Sequence, residues 1–382
     1  MIKIFKMSLA GLLFSVATIS SAGMITPNPT APSIAGTAHI LQDYDSGHIL
    51  MSENADERLP PASITKLMTS YVVSQEIHDG NIKLDDEVLI SEKAWRMIGS
   101  RSFIEVNTKV TVEALLRGMI VQSGNDAAVA LAEHVAGSEE VFAQMMNQYA
   151  QKLGMVNTNY QNATGLPGPE HYTTAHDIAI LSAALIRDYP EHYQWYAEKE
   201  YTYNGITQHN RNKLLWRDNT VDGLKTGHTE EAGYCLSASA KRDGMRLIAV
   251  VLGTASENAR AQEIQKMFNF GFRFFETHQL YAADEAITQT KVWKGQTDQL
   301  NLGLAQPLSI TVPRGRYKDL QASTNIQQPV VAPVAKGTEL GEVEIRLGDE
   351  VVATRKLVAV EEVEKGSWWR RILDSLLMLI WG

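Results

Sequence analysis

The chain has 382 residues, 44% hydrophobic and 21% charged, with a formal net charge of −9. That length suits more than one domain and the composition supports a packed core, while the acidic balance excludes the basic footprint of a nucleic-acid-binding protein. A single cysteine, Cys235, excludes an intrachain disulfide and a thiolate metal site, and the ten histidines show no H-E-x-x-H pattern, so neither a metal nor another cofactor is expected.

Residues 1–22 read as an export signal. Lys3 and Lys6 precede an apolar run from Met7 to Ile19, and Ser20-Ser21-Ala22 supplies small residues before Gly23. The run is too short to span a bilayer unaided; an uncleaved anchor is the other reading. The Pro/Ser/Thr-rich stretch 23–35 is expected to be a flexible mature N-terminus. "AHILQDYDSGHILMSENAD" then predicts a hairpin turning at Asp45-Ser46-Gly47. Helical spacing follows: Ile64, Leu67, Met68, Tyr71 and Val72 form one apolar stripe facing a core. A second helix, Val112 to Gln122, breaks at Ser123-Gly124-Asn125 and resumes from Asp126 to Ala136. Others run from Glu139 to Leu153, closed by Gly154, and from Thr174 to Arg187, where Thr174 and Asp177 have capping-box spacing. "YCLSASAKRDGMRLIAVVLGTA" predicts two strands around Asp243-Gly244, with Cys235 as a small buried hydrophobe, and Asn258 to Phe275 returns to helix. The order over residues 36–286 predicts an α+β domain: an antiparallel sheet with flanking helices and an all-helical subdomain.

From about Ile287 the pattern changes to short alternating strands with glycine-containing turns, so residues 287–364 are expected to form a small all-β domain. The tail, 365–382, is amphipathic. Trp369, Ile372, Leu373, Leu376, Leu377 and Ile380 fall on one helical face, opposite Arg370, Arg371, Asp374 and Ser375. A helix from Trp368 to Trp381 would be roughly 20 Å long, short of the ~30 Å hydrocarbon core, and its terminal tryptophans suit a lipid interface. It is expected to lie in a membrane surface through residues 366–382; docking on the β domain is the alternative.

Ser63-Ile64-Thr65-Lys66 raises the chemical question. One S-x-x-K in a chain of this length is expected by chance, so Ser63 reads as a helix N-cap or as a nucleophile. At i and i+3 the two side chains can meet on a helix. A serine hydroxyl needs a base, and a lysine is one only when burial or a nearby cation lowers its pKa. Lys225-Thr226-Gly227, placed on or at the start of an edge strand, can supply that cation, and Gly227 permits close backbone approach by a ligand. Lys225 is therefore expected both to bind an anionic group and to depress Lys66.

Ser63-x-x-Lys66, Ser123-Gly124-Asn125 and Lys225-Thr226-Gly227 resemble, in order, the S-x-x-K, S-D-N and K-T-G elements of β-lactamases and penicillin-binding proteins, with glycine where the lactamases carry aspartate. Adding "VDGLKTGHT", "NRNKLLW" and both termini, the chain resembles the type-5 low-molecular-mass penicillin-binding proteins, the D-alanyl-D-alanine carboxypeptidases. The resemblance implies that Ser63 is the acylated nucleophile, Lys66 its general base and Ser123 a proton relay to the leaving amine. It further implies that Asn125 holds the substrate amide and that Lys225 and Thr226, with Gly227, bind the terminal carboxylate. His228 would give a backbone N–H to an oxyanion hole shared with the N–H of Ser63. Arg211, in "HNRN", resembles an arginine near the carboxylate pocket; the other reading is a surface arginine. The implied partners are the D-Ala-D-Ala stem peptide of peptidoglycan and β-lactams. The implied location is the periplasmic face of a bacterial inner membrane.

Three rivals remain open in the sequence. A β-lactamase would need a glutamate to activate water; Glu170, in "NATGLPGPEHYTTAHD", a loop that could border the site, is a candidate but lacks the E-x-x-L-N surroundings, and reads as an exposed loop carboxylate. Asp177 reads as a helix-terminus group. A D,D-endopeptidase would share the Ser63 chemistry, and a non-enzymatic penicillin sensor would need a transmembrane output segment that the sequence does not display.

Overall fold

The computed structural model describes residues 30–381; the expected export signal lies outside them, as does most of the expected flexible N-terminus. β1 (Ala38–Asp43) and β2 (Ile49–Glu53) form the predicted hairpin. A single 3-10 turn, Ala62–Thr65, leads into α1 (Lys66–His78). α2 (Val112–Gln122), α3 (Asn125–Ala136), α4 (Glu139–Leu153) and α5 (Ala175–Asp188) complete the helical body. β3 (Val221–Thr229), β4 (Gly233–Arg242) and β5 (Met245–Thr254) then join the hairpin in one antiparallel sheet ordered β2-β1-β5-β4-β3, so the Lys225-Thr226-Gly227 strand is an edge.

The period-2 alternation of β5 builds the layers. Ile248, Val250 and Leu252 pack into the core shared with the helical body, while Leu247, Ala249 and Val251 pack against Ile264, Met267 and Phe268 of α6 (Glu257–Phe274). Each buried Val, Leu, Ile, Met or Phe among them contributes roughly 1.5–3 kcal/mol by leaving water. α1 departs from the expected single apolar stripe. Every residue from Lys66 to Ser74 is buried, because this helix runs through the middle of the helical body. Two of its polar side chains find partners inside: the Thr69 hydroxyl donates to the Ala163 carbonyl at 2.7 Å, and the Ser74 hydroxyl lies 2.8 Å from His192 Nδ1.

The β region starts before residue 287. β6 (Phe275–Tyr281) follows α6 directly and pairs with a strand at Leu308–Pro313. "FETHQLY" has no glycine or proline at its junction with the helix, so nothing in the local sequence marks the change. β7 (Thr288–Trp293), β8 (Gln299–Gly303), β9 (Leu308–Pro313), β10 (Leu320–Ile326), β11 (Val330–Val331), β12 (Glu339–Leu347) and β13 (Glu350–Ala359) follow. All but β9 form a sheet ordered β10-β12-β13-β8-β7-β11 around Leu300, Leu302, Val343, Ile345 and Leu357. The β1–β2 turn docks on this region: Asp43 accepts from the Thr277 hydroxyl at 2.7 Å, and Ser46 and Thr311 hydroxyls lie 2.6 Å apart.

α7 (Trp368–Trp381) attaches by its polar side. Asp374 accepts from the Lys294 backbone N–H at 2.5 Å, and Arg370 pairs with Asp298 and donates to the Gln296 carbonyl. Trp369, Ile372, Leu373 and Leu376 are left exposed. Among the described residues, no helix is long and apolar enough to cross a membrane.

Candidate active site

Pro60 and Pro61 lead the chain into the 3-10 turn, where Ala62 takes a left-handed φ of 46°. Ala62 and Ile64 are buried and Ser63 between them is half-buried, so the hydroxyl is presented from a fixed turn. Two glycines clamp that turn. A Cβ on Gly227 would stand 3.0 Å from the Pro61 carbonyl oxygen and 3.1 Å from the Ala62 Cβ. One on Gly165, whose φ is +84°, would collide with the Ala62 carbonyl. The close approach that Gly227 permits is thus to the chain's own nucleophile turn, where the sequence suggested a ligand.

Lys66 is 1% exposed, at the start of α1. Its Nζ lies 3.0 Å from Ser63 Oγ, 2.7 Å from Asn125 Oδ1 and 2.5 Å from the Thr164 carbonyl oxygen. Asn125 Nδ2 donates to the Ile98 carbonyl at 2.6 Å, which turns Oδ1 towards the lysine. The amide oxygen and the carbonyl can only accept. A neutral amine has two N–H bonds and one lone pair, so its two hydrogens go to Asn125 and Thr164 and its lone pair faces the Ser63 hydroxyl. Burial holds Lys66 down to about 7; Arg211 adds to this, while Asp126 and Glu139 oppose it.

Lys225 is also buried, on the edge strand β3. It donates to Ser123 Oγ and to the Thr226 carbonyl, both at 2.9 Å. Burial first, then Lys66, Arg211 and Arg260, hold it well below the ordinary lysine range. Burial is thus the principal cause of the Lys66 shift, Arg211 deepens it, and the repulsion between Lys66 and Lys225 acts on both amines. Ser123 sits with φ 69° where α2 ends, which turns its hydroxyl across to Lys225.

These groups open on a cleft of about 390 Å³ lined by Ser63, Ser123, Asn125, Thr226, Gly227, His228 and Arg211. Arg211 is exposed on its rim, in a turn pinned by Asn212, whose side-chain amide donates to the Gly223 carbonyl at 3.0 Å. The exposed His228 ring stacks on Tyr234, with centroids 4.0 Å apart. One lining residue, Arg260, escaped the sequence reading; the loop that could border the site does so. Arg260 of α6, 4% exposed, donates to the Gly227 carbonyl at 3.1 Å, and the Thr164-Gly165-Leu166 loop forms one wall. "NATG" is legible as a turn, but no local pattern tells that the Thr164 carbonyl meets a lysine 98 residues away. Glu170 is exposed and does not line the cleft. Asp177 accepts from the Asn157 backbone N–H and the Thr158 hydroxyl, a structural role at the start of α5.

Residues 25–256 match the family model described as D-alanyl-D-alanine carboxypeptidase. The chain belongs to the D-alanyl-D-alanine carboxypeptidase family. Residues 275–365 of this family member match the penicillin-binding protein 5 C-terminal domain, a model that begins at the first residue of β6. Similar relatives include the D-alanyl-D-alanine carboxypeptidase DacC of Escherichia coli strain K12, 45% identical over 91% of this chain and 89% of that protein. The DacA enzyme of the same strain is 40% identical over 97% and 94%. Among solved structures, penicillin binding protein 5 from Haemophilus influenzae superposes with a TM-score of 0.86 at 42% identity, covering 88% of this carboxypeptidase-family chain and 100% of that one. Penicillin-binding protein D2 from Listeria monocytogenes, in its ampicillin-bound form, superposes at 0.59 with 30% identity, over 64% of this chain and 100% of that one.

Proposed function

We propose that this chain is a serine D,D-carboxypeptidase that removes the terminal D-Ala from peptidoglycan pentapeptide stems through an acyl-enzyme on Ser63, and that β-lactams acylate the same serine. The observation that carries this reading is the Lys66 geometry: Nζ lies 2.7 Å and 2.5 Å from two obligate acceptors and 3.0 Å from Ser63 Oγ, so a neutral amine turns its lone pair to the hydroxyl. Lys66 takes the hydroxyl proton as Oγ attacks the penultimate D-Ala carbonyl, a base contribution typically of 10²–10⁴-fold. The C–N bond breaks, and the departing D-Ala nitrogen takes a proton through Ser123, which Lys225 holds. Water then frees the shortened stem. Thr226 and Arg211 line the cleft where the terminal carboxylate would sit, with Lys225 buried behind Ser123 and Thr226, and the backbone N–H groups of Ser63 and His228 are assigned to the oxyanion.

Mass spectrometry of products from a D-Ala-D-Ala pentapeptide and a cross-linked dimer tests this reading. Loss of one alanine from the pentapeptide supports it; cleavage of the dimer alone makes the chain an endopeptidase. Rapid penicillin turnover would restore the lactamase reading, against which the exposure of Glu170 weighs.

The exposed apolar side of α7, with its polar side spent on the β region, supports docking on the outer surface of an inner membrane facing the periplasm. Removing residues 366–382 should release the protein to the soluble fraction; continued membrane attachment would mean that the signal is uncleaved or that the tail is not the anchor.

A further inference from the structure

His171 lies in the loop that closes one wall of the cleft, yet it does not itself line the cleft. It is 4% exposed. The Gln161 backbone N–H donates to its Nδ1 at 2.9 Å, so the neutral ring carries its hydrogen on Nε2. That Nε2–H donates to Thr65 Oγ1 at 2.8 Å. Thr65 is the residue immediately before Lys66. Between Gln161 and His171 the same loop carries Thr164, whose carbonyl receives a hydrogen from Lys66. The ring therefore joins the start of α1, which carries the base, to the loop that orients the base.

The loop is otherwise held close to Lys66 by its own turn chemistry. Asn162 Oδ1 accepts from the backbone N–H groups of Thr164, at 3.1 Å, and Gly165, at 2.7 Å, which aims the Thr164 carbonyl outward. Thr69 and Glu139 anchor Ala163. His171 supplies the one bond among these that reaches the 3-10 turn carrying Ser63.

We propose that His171 is a positioning residue: through Thr65 it sets the register between the Ser63–Lys66 turn and the Thr164 carbonyl, and so keeps the Lys66 lone pair on the Ser63 hydroxyl. The inference rests on the assignment of Lys66 as the base. Burial and the nearby Lys66 push the His171 ring down to about 4, so it stays neutral around neutral pH. The charged groups that act on Lys66 itself are Arg211, Asp126 and Glu139, with Lys225 across the cleft; none belongs to the His171 loop.

The test uses the whole protein and the pH profile of its acylation by a fluorescent penicillin. Asparagine at this position can replace the Nδ1 acceptor but not the reach to Thr65, whereas glutamine can present an N–H near the Nε2 position. H171N is expected to acylate about tenfold more slowly, the worth of one hydrogen bond in alignment, with its acid limb moved to higher pH. H171Q should recover most of the rate. T65V, which removes the acceptor within the same volume, should reproduce H171N, and the double variant should add nothing further. An H171N or T65V enzyme with the wild-type rate and limb overturns the proposal, as does an equal loss in H171N and H171Q with the limb unmoved. If the wild-type protein itself takes no penicillin on Ser63, the functional reading fails first.

Discussion

Asn125→Asp tests the idea that a neutral Lys66 drives acylation. The substitution keeps the side-chain shape and places a carboxylate 2.7 Å from Lys66 Nζ. At an effective dielectric of about 20, opposite unit charges at that separation attract by about 6 kcal/mol, equivalent to about four pKa units. Burying the new carboxylate offsets part of this, so a rise of about three units is expected, from about 7 to the ordinary lysine range. At about pH 8 the neutral fraction of Lys66 would fall from about nine-tenths to about one-hundredth, and acylation about 100-fold with it. The assay is the second-order rate of covalent penicillin labelling from about pH 6 to about pH 10. The wild type should rise through a limb near pH 7; the variant should rise tenfold per unit to a limb near pH 10. A variant whose limb stays near pH 7 with an undiminished plateau would refute the assignment of Lys66 as the base.

Other consequences can be checked independently. Lys66 and Lys225 have lowered folded-state pKa values, so between about pH 7 and the ordinary lysine range the unfolded chain binds more protons than the folded one. Stability should therefore rise with pH across that window and then fall above about pH 10, where Tyr71, pushed up to about 12, keeps a proton that the unfolded chain loses; a denaturant series showing steady loss from neutral pH would contradict this. Gly227→Ala should cost about 1–3 kcal/mol and slow acylation, because the new methyl meets the Pro61 carbonyl and Ala62; unchanged melting and labelling would remove the clamp from the account. Glu170→Gln should leave deacylation of the penicilloyl enzyme unaltered, since Glu170 is exposed and outside the cleft lining; a slowed release would reinstate it as a water activator.

The sequence exposed the side chains that do chemistry and concealed most of what holds them. Ser63, Lys66, Ser123 and Lys225 stand in short patterns whose residue types are demanded by nucleophilic catalysis, and the structure joins them in pairs. The Asp243-Gly244 turn between β4 and β5 and the capping of α5 by Thr174 are local signals and were readable for that reason. The Thr164 carbonyl, the Arg260 contact to Gly227 and the His171 bridge depend on folding distant segments together, and backbone atoms leave no mark in residue type. The weight of burial in the Lys66 shift was hidden for a related reason. Spacing along the chain suggested a second lysine, whereas the depth of α1 in the helical body is a property of the whole packing. The early onset of β structure at Phe275 was hidden because α6 passes into β6 without a breaker residue.

Rapid-quench intact-mass spectrometry during turnover of a D-Ala-D-Ala pentapeptide bears on the central claim most directly. The account predicts a transient protein adduct equal to the pentapeptide less one D-alanine, carried on Ser63 and absent from Ser63→Ala. Release of D-alanine by Ser63→Ala at the wild-type rate, or an adduct that maps to another residue, would contradict it.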